Sequence, residues 1–515
     1  MTVSRPPRKS TAENLFFRGW HSGLFLVLFF ILLYFPIFLN LDVLPLRAWD
    51  ESRYAVNAYE MYRGGDWLVV KYDGHPDLWA VKPPLLIWTQ AILFHVMGPG
   101  DLAVRLPSAI SAFLLGLVLL WHSWRCLGRP WLALFAVLIL FTSDGILHMH
   151  GARGGTQDMP LAFFMCASLL VLHHWTIQGN KGQVLGAFLL LTRAVLTKSI
   201  QALFFLPGIA IFLIIQRKTP QFLRERATWI GSGILIILVL AYYLAREHAS
   251  PGYLAAVWHN ELWGRYTSPL EGHDHPWDHN ISLLIQRDLH EWHLLVPVGV
   301  VLGLIHSDPR VRSLTTIITL SVCSYLLIII GSSTKLPWYN VPVLPLLALL
   351  ASIPLYSIMT WVMRWRPLTM DLRTIAPIPY LFVFLLFSSS WGAVVERNYL
   401  AQETLEEVDG YFLSQHLKDV LLDRRPLGAD VIVRTDVDQH LKLYIHMLND
   451  RGHSLHLREV DQLEPGQRVL TDEWPVHGTI MGSYEYEVLM SDRHLRIFGI
   501  LGRRTVMDVT SFGSS

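Results

Sequence analysis

The chain alternates long apolar runs with short polar segments up to about residue 395, and polar residues dominate after that point. Eleven apolar runs predict membrane-spanning helices, since a helix needs about 20 residues to cross a bilayer and somewhat fewer when flanking side chains snorkel. Because several runs are short, we expect about 11 spans and at most about 13. The runs lie near residues 24–41, 105–124, 131–147, 159–177, 184–197, 200–216, 228–246, 292–306, 312–331, 339–363 and 375–393.

Three segments of the first half predict short helices. Segment 84–98 is brief and directly follows Pro83-Pro84, so it predicts an interfacial or re-entrant helix. Residues 50–64 predict an amphipathic helix in the membrane interface, because their apolar positions recur at helical spacing. The stretch 184–216 predicts two short helices with a break at Thr197-Lys198-Ser199, since one long helix would invert every later loop.

The distribution of charge between loops predicts the orientation of the spans. With the basic N-terminus inside, the inner loops carry arginines and lysines, whereas the outer loops 42–83 and 247–290 hold more acids than bases. This asymmetry follows the positive-inside rule. The inner cations are Arg125, Arg129, Lys181, Arg217, Lys218, Arg224, Arg226, Arg310, Arg312, Arg364, Arg366 and Arg373.

Composition narrows the class of function. Hydrophobic residues make up 52% of the chain and charged residues only 16%, whereas soluble domains carry about a quarter charged residues. A net charge of +1 gives no basis for nucleic-acid binding. Cys126, Cys166 and Cys323 lie in or beside apolar runs and form no CxxC metal motif.

The polar C-terminal part predicts a separate small domain. Alternating apolar residues over 431–434 and 441–445 predict short strands, with helical patches between them. We therefore expect a transmembrane domain over residues 1–395 and a small α/β domain over residues 396–515. An odd number of spans places this second domain outside.

The first outer loop gathers acids, bases and aromatic residues directly after the first span. Asp50, Arg53 and Tyr54 are spaced i, i+3, i+4 and therefore project from one helical face. Asp50 is a candidate general base, and Arg53 is a candidate phosphate ligand. For this segment alone, a helix-capping Asp50 with a helical ion pair is the commoner arrangement.

Several basic residues emerge on the same predicted outer face. Lys82 precedes Pro83-Pro84, which restrict the backbone and fix the direction of the lysine, although a snorkelling lysine fits equally well. Lys198 and Lys335 lie near the membrane interior, where an ammonium group is costly unless it is paired or faces a polar cavity. The lysines predict a cationic pocket for an anionic group, and Arg265, which is flanked by aromatic residues, is a further substrate-binding candidate.

Asp158 begins a later span on the same outer face. It is either a helix cap or a second carboxylate opposite Asp50. The glycines before it lack the GxxxxGK[ST] pattern, so nucleoside triphosphate chemistry is not indicated.

The outer loop 247–290 also contains a cluster of histidine and aspartate residues. Such a cluster is a candidate divalent metal site, but a solvated histidine-rich loop is the commoner case. We therefore expect that no metal or other cofactor is required. The residues are His259, His273, Asp274, His275, Asp278 and His279.

Seven short motifs follow one another in the order found in a known enzyme family. Over about the first 350 residues they resemble the bacterial GT-C glycosyltransferases of the aminoarabinose-lipid A transferase and protein O-mannosyltransferase type. The motifs are Asp50-Glu51-Ser52-Arg53-Tyr54, Gly65-Asp66-Trp67, Lys82-Pro83-Pro84-Leu85, Arg105-Leu106-Pro107-Ser108, Asp158-Met159-Pro160-Leu161, Leu196-Thr197-Lys198 and Lys335-Leu336-Pro337-Trp338-Tyr339.

The resemblance implies an integral-membrane glycosyltransferase of the bacterial inner membrane. It implies interfacial helices in the first outer loop, a cavity at the outer face, and a polyprenyl (undecaprenyl) phosphate sugar as donor. The acceptor would be a lipid, a glycan or a protein. The active site and the C-terminal domain would both lie on the periplasmic side.

The resemblance also assigns roles to individual residues. It implies Asp50 and Asp158 as catalytic carboxylates, Arg53 and Lys82 as donor-phosphate contacts, and Lys198 and Tyr339 as further cavity residues. Glu51, Tyr54, Arg265 and Lys335 complete the substrate-binding candidates. Val81 stands where this family usually has an acid before Lys-Pro-Pro.

A transporter or flippase of a lipid-linked solute is the main alternative, and a non-catalytic scaffold for envelope assembly is a weaker one. Transporters tend to have internal repeats and charges at the bilayer midplane. This sequence has no evident repeat, and its charges gather at one face, which favours the enzyme.

Overall fold

The computed structural model of the chain describes residues 20–147, 150–269, 271–364, 377–400, 411–435, 437–492 and 494–504. The basic N-terminus and two cations of the last predicted inner loop lie outside the described residues. They are Arg5, Arg8, Lys9 and Arg18, and Arg366 and Arg373.

Helices make up most of the described chain, which confirms a polytopic α-helical membrane protein. Each of the eleven predicted apolar runs coincides with a helix, and within the described residues seven helices are long and apolar enough to cross a membrane: α4, α7, α8, α11 and α16–α18 as defined next. The helices up to residue 399 are α1 (Trp20–Phe38), α2 (Asp50–Gly64), α3 (Leu85–Met97), α4 (Asp101–His122), α5 (Pro130–Phe141), α6 (Asp144–Leu147), α7 (Asp158–Gln178), α8 (Lys181–Lys198), α9 (Leu206–Ile215), α10 (Thr219–Arg224), α11 (Arg226–Ala249), α12 (Tyr253–Val257), α13 (Trp263–Thr267), α14 (His279–Leu283), α15 (Leu295–Leu304), α16 (Pro309–Gly331), α17 (Leu344–Arg364) and α18 (Pro377–Tyr399). Short 3₁₀ segments cover Ser199–Leu203 and Pro337–Val343, and π-helical segments cover Ser123–Leu127, Trp258–Leu262 and Leu284–Asp288.

Burial separates the centre of the helix bundle from its periphery. Every residue of α5 is buried, as expected for a helix that is apolar on all faces. By contrast, α11 buries only Thr228, Gly231, Tyr242 and Arg246. Its remaining apolar surface has the character of a lipid-facing helix.

The break predicted at residues 197–199 is confirmed. Helix α8 ends at Lys198, and Ser199 has a φ of 51°, a conformation that is uncommon for a residue with a Cβ. A 3₁₀ turn over Ser199–Leu203 then leads into α9. The break makes Lys198 the last residue of its helix and leaves its side chain at the end of the bundle.

The predicted inner loops meet at one end of the bundle. Arg129 Nη2 lies 3.4 Å from Asp308 Oδ2, and Arg310 Nη1 donates to the carbonyl oxygen of Cys126 at 2.9 Å. Helix α7 runs from Asp158 to this basic end, and α8 returns from it to Lys198. Asp158 and Lys198 therefore lie together at the opposite end.

The first outer loop forms two helices and a short hairpin. Helices α2 and α3 coincide with the two predicted interfacial segments, and strands β1 (Lys71–Tyr72) and β2 (His75–Pro76) pair antiparallel between them. Helix α2 is buried over most of its surface, because it packs on α3 and on the C-terminal part as well as on the bundle.

A buried ion pair ties α2 to the membrane domain. Arg105 Nε lies 2.9 Å from Glu51 Oε1, and its Nη2 lies 3.1 Å from Oε2. Glu51 also accepts from the backbone N–H groups of Gly155 and Arg47, both at 2.8 Å. Although burial raises the pKa of the Glu51 carboxyl, the Arg105 guanidinium and the Arg47 contacts outweigh it, and the pKa falls to about 2.

The C-terminal part is a small α/β unit, as predicted. Its five-stranded sheet has the order β4-β3-β5-β7-β6, with β3 parallel to β4 and β5 and with β7 antiparallel to β5 and β6. The elements are α19 (Tyr411–Leu421), β3 (Val431–Val433), α20 (Gln439–Asp450), β4 (His456–Arg458), β5 (Arg468–Thr471), α21 (Trp474–Ser483), β6 (Tyr484–Asp492) and β7 (Leu495–Arg503). The domain division at residue 396 stays a prediction, and α18 continues past it to Tyr399.

Of the two predicted strands, the one near residue 431 is confirmed and the one over 441–445 is wrong. The latter lies in α20, where Leu441, Tyr444, Ile445 and Leu448 are buried at helical spacing. Apolar residues that alternate over only five positions fit both the strand period and the helix period, and only a longer stretch of sequence distinguishes the two.

The C-terminal unit docks on the outer loop through buried polar contacts. The Tyr444 hydroxyl donates to Asp101 Oδ1 at 2.7 Å and accepts from the Leu46 N–H at 2.8 Å. Lys418 Nζ lies 2.5 Å from Asp101 Oδ2, and Lys442 Nζ lies 2.6 Å from Asp73 Oδ2.

We expect Glu51→Gln to destabilise the protein by about 3–5 kcal/mol, because it leaves the buried Arg105 guanidinium without its counter-charge. Thermal unfolding in detergent measures this effect. Since the folded pKa of Glu51 lies below its ordinary value of 4.5, its contribution is present above pH 4.5 and is lost as the pH falls toward about 2. The variant should therefore lack this acid-sensitive component.

Glu60→Gln on the same helix is the matched control. Glu60 accepts from the exposed Gly74 N–H at 3.1 Å, a bond that glutamine can also accept. An unfolding temperature of Glu51→Gln equal to that of Glu60→Gln would contradict the proposed contribution of the pair.

Candidate active site

A cavity of about 710 Å³ opens at the end of the bundle that carries Asp158 and Lys198. Its volume lies within the range of small-molecule sites. Its walls come from the first outer loop, the α7 and α8 termini, the outer loop before α14, the 3₁₀ segment 337–343 and the start of α20. The structure thus brings together segments that are far apart in the sequence. The candidates that line the cavity are Asp50, Glu51, Arg53, Tyr54, Lys82, Asp158, Lys198, Arg265 and Tyr339.

Three of the lining side chains form a hydrogen-bonded chain, and Asp50 lies at its end without a hydrogen bond. Lys198 Nζ bonds Asp158 Oδ1, and Asp158 Oδ2 lies 3.0 Å from His150 Nδ1. The other ring nitrogen, His150 Nε2, lies 3.9 Å from Asp50 Oδ2. The His150 ring stacks on Trp338 with centroids 3.9 Å apart, which fixes the plane of the imidazole.

Local helix geometry explains where this chain forms. Asp158 is the first residue of α7 and Lys198 is the last residue of α8. An acid at a helix N-terminus and a base at a C-terminus both interact favourably with the helix dipole. Because the two helices are antiparallel neighbours, these two ends meet, and each charge neutralises the other.

Neither candidate carboxylate acts as a helix cap. No side-chain capping bond is present at the start of α2 or of α7. Asp158 is 2% exposed and bonded on both oxygens, whereas the Asp50 side chain is 36% exposed and forms no hydrogen bond within the described part of the chain. Asp50 is therefore an open carboxylate that faces the cavity.

A second polar group surrounds Glu261. Its Oε2 lies 3.5 Å from Lys82 Nζ and 4.0 Å from Arg265 Nε. Arg265 Nη1 in turn donates to the Tyr339 hydroxyl at 3.2 Å, and Lys198 Nζ lies 5.5 Å from the Tyr339 ring centre. Two cations thus share the carboxylate of Glu261 beside the cavity.

The backbone before Lys82 is held by the outer loop. The Tyr253 hydroxyl donates to the Val81 carbonyl oxygen at 2.8 Å, and Arg246 Nη2 donates to Val70 and Asp77 carbonyl oxygens at 3.3 and 3.4 Å. With the prolines that follow, these bonds fix where the lysine points.

Arg53 is oriented by Asp77. Its Nη2 and Nε lie 2.8 and 3.2 Å from the two carboxylate oxygens of Asp77. The guanidinium carbon lies 4.4 Å from the centre of the Tyr72 ring, and Lys442 Nζ of the C-terminal unit lies 4.7 Å from the same ring. The Arg53 side chain stays 24% exposed at the cavity wall.

Tyr54 contributes a neutral hydroxyl. Its oxygen lies 3.3 Å from Gln157 Oε1, to which it donates. Burial, together with the carboxylates of Asp50, Asp158 and Glu261, raises the pKa of Tyr54 well above its usual value. The side chain therefore remains a phenol and a hydrogen-bond donor.

One prediction about the site needs correction. Lys335 does not line the cavity, because its ammonium group donates to the Ser332 carbonyl oxygen at 2.8 Å inside its own loop. The outer-loop histidines and aspartates do not converge on a metal-binding geometry within the described residues. His275 and His279 stack on one another instead, with ring centres 4.0 Å apart.

Glu51 lines the cavity, but both of its oxygens are bonded within the protein, so its predicted substrate contact has no free acceptor in this arrangement.

Sequence reasoning missed His150, Glu261, Asp77 and Gln157. His150 lies near Asp158 in the sequence, and its spacing of eight residues across a loop gave no periodic signal. Glu261 lies in a π-helical turn, Trp258–Leu262, beside Arg265. The absence of an acid before Lys82 was the available clue that its partner comes from another segment.

Part of the chain matches a known family. Residues 81–244 match the family model described as dolichyl-phosphate-mannose-protein mannosyltransferase.

Curated relatives carry the name undecaprenyl phosphate-alpha-4-amino-4-deoxy-L-arabinose arabinosyl transferase. The Aeromonas hydrophila protein is 29% identical over 247 residues, which are 46% of this chain and 42% of that protein. The match to this relative thus spans less than half of its length. The Enterobacter sp. protein is 26% identical over 75% of this chain and 68% of its own length.

A solved structure covers nearly the whole fold. ArnT from Cupriavidus metallidurans bound to undecaprenyl phosphate superposes with a TM-score of 0.69 at 17% identity, covering 93% of this chain and 98% of that chain. This similarity extends over the membrane domain and into the C-terminal unit, and it confirms the resemblance at the level of the fold. The chain is thus a multi-pass α-helical membrane protein with the fold of the Cupriavidus ArnT structure.

Proposed function

We propose that the protein transfers a hexose or pentose from a polyprenyl phosphate carrier to an envelope acceptor, with inversion at the anomeric carbon. The acceptor is a lipid such as lipid A, a glycan or a protein. The observation that carries the proposal is that an accessible carboxylate, Asp50, shares a cavity with the cations Arg53, Lys82 and Arg265.

Asp50 is the general base of the proposed reaction. An acceptor hydroxyl gives its proton to Asp50, and its oxygen attacks the anomeric carbon from the face opposite the phosphate. The bond between the anomeric carbon and the phosphate oxygen breaks, and the polyprenyl phosphate leaves with the electron pair. A phosphate acceptor would already be deprotonated and would need orientation only.

Lys82, Arg265 and Arg53 stabilise the leaving phosphate. The donor phosphodiester carries one negative charge and gains a second as the bond breaks, so fixed cations act most strongly on the transition state. Glu261 holds Lys82 and Arg265 together beside the cavity. These side chains can supply the positive charge that the leaving phosphate requires, without a metal ion or other cofactor.

Asp158, His150 and Lys198 position Asp50. The Lys198 ammonium group holds Asp158, and Asp158 holds the His150 imidazole. The imidazole in turn lies 3.9 Å from Asp50 Oδ2. Asp158 is bonded on both oxygens, which favours a positioning role for it over direct proton transfer.

The related proteins support this donor class. The curated relatives are named for transfer from undecaprenyl phosphate, and the ArnT structure of similar fold holds undecaprenyl phosphate. We extend these properties to the present chain, and we place its cavity at the periplasmic face of a bacterial inner membrane because the inner cations gather at the opposite end of the bundle.

A flippase for a lipid-linked solute is the second candidate, since a cationic cavity also suits the headgroup of such a solute. A flippase would move the intact headgroup without breaking the sugar–phosphate bond. Release of free polyprenyl phosphate therefore separates the two functions.

We expect purified protein to release polyprenyl phosphate from at least one member of a panel of polyprenyl-phosphate sugars when an envelope acceptor is present. Asp50→Asn should lower kcat by about 10²–10⁴, because it removes the base but keeps the side-chain volume. Thin-layer or mass-spectrometric detection of the released lipid measures both quantities. Glu60→Gln on the same helix is the matched control and should retain wild-type turnover.

Release at the same rate by Asp50→Asn would contradict the assignment of the base. Movement of an intact donor across vesicles, with no release under any acceptor, would favour the flippase.

We expect His150→Phe to lower kcat by about 10²-fold, with little change in the KM for the donor. Phenylalanine keeps the stack on Trp338 but removes both ring nitrogens. Steady-state kinetics on the active donor separate the two constants. An increase in KM at unchanged kcat would show that His150 binds donor instead of positioning Asp50.

The orientation predicts accessibility to a membrane-impermeant thiol reagent. In a Cys323→Ser background, cysteine at position 277 should react from outside whole cells, because Trp277 is 68% exposed in the outer loop. Cysteine at position 217, in a predicted inner loop, should react only after the membrane is opened. The reverse pattern would invert the topology and place the cavity at the cytoplasmic face.

A further inference from the structure

Three metal-ligating side chains meet at the basic end of the bundle, far along α7 from the cavity. His122 ends α4, Cys126 lies in the π-helical segment that continues it, and His173 lies on α7. One donor atom from each residue lies within 4.8 Å of the other two. Both histidines are fully buried, and Cys126 is 3% exposed.

The two imidazoles are already oriented toward each other. His122 Nε2 lies 2.9 Å from His173 Nδ1, and His173 Nε2 lies 3.2 Å from Ser313 Oγ. A metal-bound histidine commonly uses its second ring nitrogen for such a bond, which fixes the ring. Tetrahedral zinc would hold nitrogen and sulfur donors about 3.3–3.6 Å apart, so small side-chain rotations are enough to close the group.

The backbone changes register at this point. Helix α4 becomes π-helical at Ser123–Leu127, directly after His122, and the segment ends at Gly128 with a φ of 73°. Single π-helical turns within helices occur frequently at functional sites. Cys126 lies within this π-helical segment, close to the two imidazoles.

Polar atoms around the group lack protein partners. Within the described residues, His122 Nδ1, Ser123 Oγ, His174 Nδ1 and Trp175 Nε1 are buried without a hydrogen bond. Buried polar atoms are nearly always satisfied, so the unsatisfied Nδ1 of His122, one of the three candidate ligands, indicates a missing partner at this histidine.

We propose that His122, Cys126 and His173 bind a thiophilic metal ion, Zn²⁺ or Cu⁺, as a structural link between α4 and α7. A thiolate with two imidazoles suits these ions, and the group contains no carboxylate to attract the hard cations Mg²⁺ or Ca²⁺. Binding releases the thiol proton of Cys126 as the metal–sulfur bond forms.

The two ions differ in the charge that they leave inside the protein. One thiolate neutralises Cu⁺ completely but leaves a net charge of one on a Zn²⁺ centre. Arg310, which donates to the Cys126 carbonyl oxygen, shares the Asp308 carboxylate with Arg129, so one positive charge remains nearby. The neighbouring Arg125 is exposed at the basic end of the bundle. The site is independent of the proposed transferase activity.

The test uses full-length protein in detergent, freed of metal with a chelator and then titrated with Zn²⁺, or with Cu⁺ under anaerobic reducing conditions. We expect about one tightly bound ion per chain and a rise in unfolding temperature. Cys126→Ser and His173→Gln should each lose the tight ion and the temperature rise. Cys323→Ser and His275→Gln are matched controls that remove an exposed thiol and an outer-loop imidazole, and they should bind as the wild type does. The ion that binds more tightly identifies the metal.

Equal metal content in Cys126→Ser and the wild type would overturn the proposal, as would loss of the ion in either control. If the Cys126 and His173 variants fail to fold, X-ray absorption of the loaded wild type decides. One sulfur with nitrogen ligands supports the site, and a shell of nitrogen and oxygen alone overturns it.

Discussion

The meeting of two antiparallel helix ends is the constraint on which the site depends. Asp158 and Lys198 lie at the polar termini of α7 and α8, where the helix dipoles favour their charges and where each neutralises the other. A buried ammonium or carboxylate alone would be strongly unfavourable at this depth. The pair therefore holds the hairpin in one register, and it gives His150 a fixed partner. The geometry around Asp50 follows from helix packing that extends through the bundle.

The ion pairs divide the charged residues of the cavity into bonded and available groups. Glu51 is bonded to Arg105, Asp158 to Lys198, and Arg53 to Asp77, so these residues mainly hold the walls in place. Asp50 is the accessible carboxylate among the candidates, and Lys82 with Arg265 supplies cations beside the cavity. The bonded charges thus hold the cavity walls, and the available charges can act on a substrate as group transfer requires. Few exposed charged residues are needed for this arrangement.

Much of the helical framework was predictable from the sequence, since the backbone N–H and C=O groups of a long apolar run in a bilayer can be hydrogen-bonded only within a helix. The break at Lys198 was also predictable, because the loop charges allowed one arrangement.

The partners of individual side chains were harder to predict from the sequence. Lys335 carries the same charge and depth as Lys198, yet it bonds its own loop at Ser332, and only the three-dimensional path of that loop decides between the two outcomes. Glu261 and His150 act across segments, and a single sequence does not encode which distant residue will face them. The misassigned strand at 441–445 shows the same limit over a short window.

Arg53 and Lys442 both contact the Tyr72 ring, and this contact links the cavity wall to a domain that is more than three hundred residues away in the chain. Since Lys442 also pairs with Asp73, the hairpin tip and α20 depend on one another. A substitution at position 72, 73 or 442 would therefore disturb the fit of the other two. Replacing the C-terminal unit by that of a distant relative would likewise remove Lys442 from the partners that it contacts in the first outer loop.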